Sequence, residues 1–182
     1  MPVLAHLPNA LSLGRMLMIP LVIWSILHVN DGNLFRLLFI YLFTIFLDFL
    51  DGFLARHLAL ESEMGKILDP LADKLLVLAV LFTLTFKAQF PIWLAAFIIL
   101  RDVIILTASL MLIRRKTGVK ASIFVGKATF GLLSLLIFIY LIDLHGQIDL
   151  LLLKRILIVL SCTFLCWSTM EYYKIYQKVT HG

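Results

Sequence analysis

The sequence predicts an all-α integral membrane protein with six transmembrane helices behind a short N-terminal interfacial segment. Three observations carry that expectation. Hydrophobic residues make up 62% of the 182 residues and charged residues 15%, whereas a soluble domain is roughly half apolar and a quarter charged. A mean hydropathy of +1.04 leaves too few polar side chains to clothe a water-facing surface. The apolar residues also fall into six long runs, and six spans of about 20 residues with short loops account for this length. Residues 1–182 are therefore expected to form a single membrane-embedded domain.

The runs place the spans at residues 11–29, 34–55, 68–86, 90–113, 124–142 and 150–172. Breakers separate them: Asn30-Asp31-Gly32-Asn33, the polar stretch from Arg56 to Lys66, Gln89-Phe90-Pro91, Arg114 to Lys120, and His145-Gly146. Ahead of the first span, Leu4, Leu7, Leu11 and Leu13 alternate with His6, Pro8, Asn9 and Ser12, which suits a helix lying in the interface. Met1 to Asn9 has no basic start and no small-residue cleavage site follows, so the first run is expected to remain as a helix.

Orientation follows from the cations. With the N-terminus inside, the inner segments hold Arg15, Arg56, Lys66, Arg114, Arg115, Lys116, Lys120, Lys127, Lys174 and Lys178, against Arg36, Lys87, Lys154 and Arg155 outside. Positive charge collects on the cytoplasmic side, so both termini are expected there. The net charge of +5 records this orientation rather than nucleic-acid binding. Lys74 and Arg101 fall inside spans and call for partners. Cys162 and Cys166, four apart in an apolar run, read as small lipid- or core-facing residues, since no His accompanies them as a metal ligand.

Four of the eleven acidic residues, Asp48, Asp51, Asp69 and Asp73, stand at or near the inner ends of the second and third spans. A carboxylate in an apolar helix is costly, and four from two neighbouring helices ask for a compensating cation. The spacings of three and four put each pair on one helix face, and the short intervening loop makes the helices antiparallel neighbours. Four carboxylates suit two Mg²⁺ or Mn²⁺ ions whose shells substrate phosphate oxygens complete, the arrangement of a two-metal phosphoryl-transfer centre. Gly52, directly after Asp51, costs about 1 kcal/mol relative to Ala inside a helix, which points to a close approach there.

The full string is Asp48-x-x-Asp51-Gly52-x-x-Ala55-Arg56, eight residues, Gly65, three residues, Asp69, three residues, Asp73. It resembles, without a substitution, the signature of the CDP-alcohol phosphotransferase family, also called the class I CDP-alcohol phosphatidyltransferases. The resemblance implies a homodimer with a cytoplasm-facing cavity, two divalent metals, and a reaction in which an alcohol displaces CMP from a CDP-linked lipid. Carried over to these positions, Asp48, Asp51 and Asp69 ligate the metals while Asp73 completes the cluster and acts as general base. Gly52, Ala55 and Arg56, with Gly65, receive the cytidine nucleotide.

The acceptor is sought in the rest of the chain. Leu7 to Arg15, with Pro20, looks like the start shared by the bacterial phosphatidylglycerophosphate synthases and the CMP-forming cardiolipin synthases, and offers Asn9, Ser12 and Arg15 as headgroup contacts. Arg114, Arg115, Lys116, Lys120 and Lys127 concentrate five cations within fourteen residues, and Arg114, Lys120 and Lys127 are the candidates for holding an anionic acceptor. The glycerophosphate branch usually has Arg-Glu in span four and Gly-Lys-x-Lys-Thr before span five; here Arg101-Asp102 and Gly126-Lys127-Ala128-Thr129 stand there. The Arg-Asp pair is more like the cardiolipin synthases. The expectation is transfer of the phosphatidyl group of CDP-diacylglycerol to glycerol 3-phosphate, at a bacterial inner membrane and on its cytoplasmic face. Phosphatidylglycerol is the alternative acceptor, and a divalent-cation transporter is the alternative of a different class.

Overall fold

The computed structural model describes residues 7–29, 33–58, 65–114, 124–146 and 149–181. Within the helices, the side chains of 7–13, 15, 48, 49, 51–58, 65–73, 108–114, 175, 176 and 178–181 lie outside the described residues. The described chain is all helix: α1 (Leu7–Leu27), α2 (Leu34–Leu58), α3 (Gly65–Lys87), α4 (Ile92–Arg114), α5 (Phe124–Asp143) and α6 (Leu151–His181). Six helices match the six apolar runs.

Two boundaries differ from the sequence expectation. The interfacial stretch and the first span are one continuous helix from Leu7, with Pro8 in its first turn, where a missing N–H costs nothing, and Pro20 inside it. At the other end, α6 runs to His181, beyond the apolar limit at residue 172. Helical hydrogen bonding continues through Glu171 and Lys174, which pair at 2.8 Å, because helix propensity does not stop where hydrophobicity does.

The turns have local causes. The His28 amide donates to the Trp24 carbonyl at 3.1 Å and its ring stacks on the Trp24 ring at 5.0 Å, closing α1. The Asn33 carbonyl accepts the Leu37 amide at the start of α2. Between α3 and α4, Gln89 takes φ of 52°, a left-handed conformation that reverses the chain, and the Pro91 carbonyl then receives the amides of Leu94 and Ala95. Gly146, at φ 69°, ends α5 without the penalty a side chain would bring. Asp149 Oδ1 accepts the Leu151 amide at 3.0 Å and opens α6.

The chain forms two compact units, Met1–Gln89 and Phe90–Gly182. In the first, α1 packs against both α2 and α3. Its core joins Val22 and Ile26 to Leu37 and Tyr41, and to Leu81 and Leu84. Thr44 and Thr83 are buried there because each hydroxyl donates to the carbonyl four residues back, at 2.7 Å. In the second unit α6 packs against α5 and α4. Leu94, Ile98, Leu136, Leu141 and Leu165 fill its interior, and Phe90 lies on the Tyr140 ring at 4.8 Å.

The outside is as apolar as the inside. Phe35 is 89% exposed, Phe86 74% and Leu152 73%, a distribution that water would penalise and hydrocarbon would not. Among the described residues, two helices are long and apolar enough to cross a membrane, over Phe124–Asp143 and Leu151–Lys174. Shorter apolar stretches occupy Met16–Leu27 and Leu34–Leu47. The first acidic pair, Asp48 and Asp51, follows directly on the latter.

Candidate active site

Asp48 and Asp51 belong to the second half of α2, and Asp69 and Asp73 to the first turns of α3, which begins at Gly65. Gly52, Ala55 and Arg56 share the end of α2 with the first acidic pair. The side chains of all these residues lie outside the described residues. Their backbone register is helical, so the spacings of three and four each keep a pair on one face. Both acid-bearing helices use α1 as their packing partner.

The α1–α2 pair also fixes a level along the helices. The Arg36 guanidinium lies over the Trp24 ring, 4.9 Å from its centroid, so the end of α1 meets the start of α2 and the two run antiparallel. Counting twelve residues from Arg36 reaches Asp48, and counting twelve back from Trp24 reaches Ser12. At about 1.5 Å per residue each count covers about 18 Å. By register, therefore, the two turns of α1 that contain Asn9, Ser12 and Arg15 stand at about the height of the first acidic pair; the side chains of those three lie outside the described residues.

The second unit answers the question Arg101 posed. Arg101 and Asp102 are both buried in α4, and Arg101 Nη1 donates to Asp102 Oδ1 at 2.8 Å, with each side chain 10% exposed. Arg101 Nη2 donates to the Ser168 hydroxyl of α6, itself fully buried, and the guanidinium lies 5.8 Å from the centroid of the Tyr172 ring. Arg101 Nε has no hydrogen-bond partner among the described residues. The tip of Tyr172 in turn covers Gly126 at the start of α5: a Cβ added there would stand 3.2 Å from its hydroxyl. One turn on, the Thr129 hydroxyl, bonded to Val125 O at 2.7 Å, also reaches Phe164 O of α6 at 3.3 Å.

Of the proposed acceptor residues, Lys127 is exposed in the first turn of α5. Arg114 is the last residue of α4, with its side chain outside the described residues, and Lys120 lies wholly outside them. Lys74 is half-buried on α3. Cys162 is half-buried and Cys166 exposed, both as free thiols. Among the described residues no three His, Cys, Asp or Glu side chains gather as a metal site. Sequence reasoning found Arg101 as a charge inside a span that calls for a partner and Asp102 as a departure from a pattern, and missed Ser168 and Tyr172. A signal was present, since Ser168 and Tyr172 are four apart on one face of an apolar helix.

Six helices with an apolar exterior carry paired aspartates on two successive helices, α2 and α3, that share α1 as a neighbour. Comparison with known protein families matches residues 5–167 to CDP-alcohol phosphatidyltransferase, and the chain is an enzyme belonging to that family. Over 170 residues it is 34% identical to the CDP-diacylglycerol–glycerol-3-phosphate 3-phosphatidyltransferase of Aquifex aeolicus (strain VF5), covering 92% of this chain and 93% of that one. It is 33% identical over 172 residues to the CMP-forming cardiolipin synthase of Streptomyces coelicolor (strain ATCC BAA-471 / A3(2) / M145), covering 92% of this chain and 77% of that one. A glycerol-3-phosphate 3-phosphatidyltransferase of Bacillus subtilis (strain 168) is 38% identical over 111 residues, 53% of this chain and 56% of the relative.

Proposed function

We propose that this protein transfers the phosphatidyl group of CDP-diacylglycerol to glycerol 3-phosphate and releases CMP. The observation that carries the reading is the unbroken Asp48-to-Asp73 string in a chain that resembles the Aquifex transferase over nearly its whole length. In this reading one membrane-embedded domain crosses a bacterial inner membrane six times, works as a homodimer, and keeps both termini and the active site on the cytoplasmic side. Support for the spans comes from six helices of at least 20 residues, each about 30 Å or more in length, and from the exposed phenylalanines.

The residues present fit a divalent-metal centre. Hard oxygen donors come from two helices as i,i+3 and i,i+4 pairs, and both helices pack on α1. Asp48, Asp51 and Asp69, with Asp73 completing the set, would hold two Mg²⁺ or Mn²⁺ ions, which when bound draw negative charge off the phosphate oxygens. Arg56 holds the cytidine nucleotide by charge-assisted hydrogen bonds, and Gly52, Ala55 and Gly65 leave room for it. Asp73 takes the proton of the acceptor hydroxyl as that oxygen forms its bond to the phosphatidyl phosphorus. The bond from phosphorus to the CMP oxygen breaks, and CMP departs. Lys127, with Arg114 and Lys120, holds the phosphate monoester of the acceptor, while Asn9, Ser12 and Arg15 serve the lipid headgroup.

A second reading, with phosphatidylglycerol as acceptor and cardiolipin as product, draws on the Arg101–Asp102 pair and on the likeness to the Streptomyces synthase. The cation-transporter alternative is set aside, because the family to which the chain belongs consists of transferases. The deciding experiment supplies purified full-length protein in vesicles with CDP-diacylglycerol, Mg²⁺ or Mn²⁺ and a panel of alcohols, and follows CMP and lipid product. Turnover with glycerol 3-phosphate is expected. Turnover with phosphatidylglycerol alone would replace the first reading by the second.

A further inference from the structure

We infer that Arg101 and Tyr172 are positioning residues that set the place of Lys127 through Gly126, and so govern acceptor affinity without touching the acceptor. The inference rests on the proposed role of Lys127 as an acceptor contact. Its physical basis is a continuous set of contacts across three helices. Asp102 anchors the Arg101 guanidinium at 2.8 Å, and Ser168 on α6 takes a second of its donors. One turn further along α6 the guanidinium faces the Tyr172 ring at 5.8 Å. That ring ends in a hydroxyl 3.2 Å from the point where a Cβ at residue 126 would stand, with Cε2 and Cζ at 3.5 and 3.8 Å from the same point. The next residue is Lys127, the sole cation of α5.

A buried arginine is an expensive way to join two helices in an apolar medium, where Leu or Ala would pack as well. What the arginine adds is a plane held by Asp102 and Ser168, which attracts the face of the Tyr172 ring. Gly126 lets α5 come onto the phenol tip more closely than a Cβ allows, so the first turn of α5 is referenced to that hydroxyl. Lys127 is displaced about 100° around the helix from Gly126 and remains exposed. A shift of the first turn of α5 at Gly126 therefore moves the backbone from which the Lys127 side chain starts.

The test is a set of steady-state measurements on the full chain in vesicles, with CDP-diacylglycerol and, in parallel, glycerol 3-phosphate or phosphatidylglycerol as acceptor. Gly126→Ala forces the Tyr172 tip away and is expected to raise the acceptor KM about five- to tenfold, leaving the KM for CDP-diacylglycerol and kcat within about twofold. Tyr172→Phe opens a gap at the same point and is expected to raise the acceptor KM about threefold. Combined, the added methyl occupies the volume the hydroxyl vacated, and the acceptor KM returns to within about twofold of the wild type. In a Lys127→Ala background neither substitution should change the acceptor KM further. A double variant no better than Gly126→Ala, or an undiminished effect of either substitution without Lys127, would overturn the inference. Should Gly126→Ala fail to fold, Tyr172→Phe with and without Lys127 decides it by the same criterion. Lys127→Ala with a wild-type acceptor KM would instead sink the acceptor reading itself.

Discussion

Ser161 and Ser168 lie seven residues apart on one face of α6, and both are fully buried. The same substitution should nevertheless act in opposite directions at the two sites. Ser168 accepts a hydrogen bond from the Arg101 guanidinium, and charge-assisted bonds are worth roughly 1.5 to 3 kcal/mol in soluble proteins. Interhelical hydrogen bonds in a bilayer average about 0.6 kcal/mol and reach about 1.7. Because Arg101 already carries one donor with no partner among the described residues, a second orphaned donor places Ser168→Ala near the top of that bilayer range, at about 1.5 kcal/mol destabilising. The Ser161 hydroxyl has no partner among the described residues, so Ser161→Ala removes an unsatisfied polar atom and should stabilise by about 0.5 kcal/mol. The difference, about 2 kcal/mol, corresponds to roughly 4 to 8 °C in midpoint for a chain of this size. Thermal unfolding of both variants in one detergent, followed by circular dichroism, measures it. Midpoints that shift in the same direction by the same amount would show that the Arg101–Ser168 contact contributes nothing.

Isothermal titration with Mn²⁺ should show Asp48→Asn and Asp69→Asn losing most of the metal affinity; unchanged binding in both would remove the metal site. Asp73→Asn should abolish CMP release while CDP-diacylglycerol still binds, and retained turnover would take the base assignment from Asp73. Lys127→Ala should raise the KM for glycerol 3-phosphate by about one to two powers of ten, the equivalent of a charge-assisted contact, with that for CDP-diacylglycerol nearly unchanged. At the α5–α6 hairpin, Lys154 pairs with Asp143 and lies 4.8 Å from the Tyr140 ring centroid. Lys154→Met should cost about 1 kcal/mol, and a double-mutant cycle with Asp143→Asn should show coupling; additive effects would argue against the pair.

Much of the architecture was legible because it is written locally. An apolar run of twenty residues has few alternatives to a helix where the backbone must satisfy its own hydrogen bonds, and the six runs reappear as α1 to α6 with ends moved by a few residues at most of the boundaries. Breakers at Gln89 and Gly146 coincide with the two positive-φ residues among the described residues because a left-handed turn is a property of one residue and its neighbours. The end of α6 was missed for a related reason. Hydropathy reports where hydrocarbon suits the side chains, whereas the helix continues as long as its backbone bonds and polar pairs such as Glu171–Lys174 sustain it.

By itself the sequence determined the family, since eight fixed positions at fixed gaps from Asp48 to Asp73 survive in the linear order of the chain. It also determined that each acidic pair shares a helix face, which follows from a 3.6-residue repeat alone. Only the tertiary structure decided what surrounds Arg101. Its partner Asp102 is adjacent in sequence, but Ser168 is 67 residues away, and the approach of Tyr172 to Gly126 depends on how α5 and α6 pack. Periodicity states which residues face inward; it carries no information on which inward-facing residue of another helix they meet. That is fixed when side chains from three helices compete for one volume, and there a glycine, a phenol and a buried guanidinium fit together.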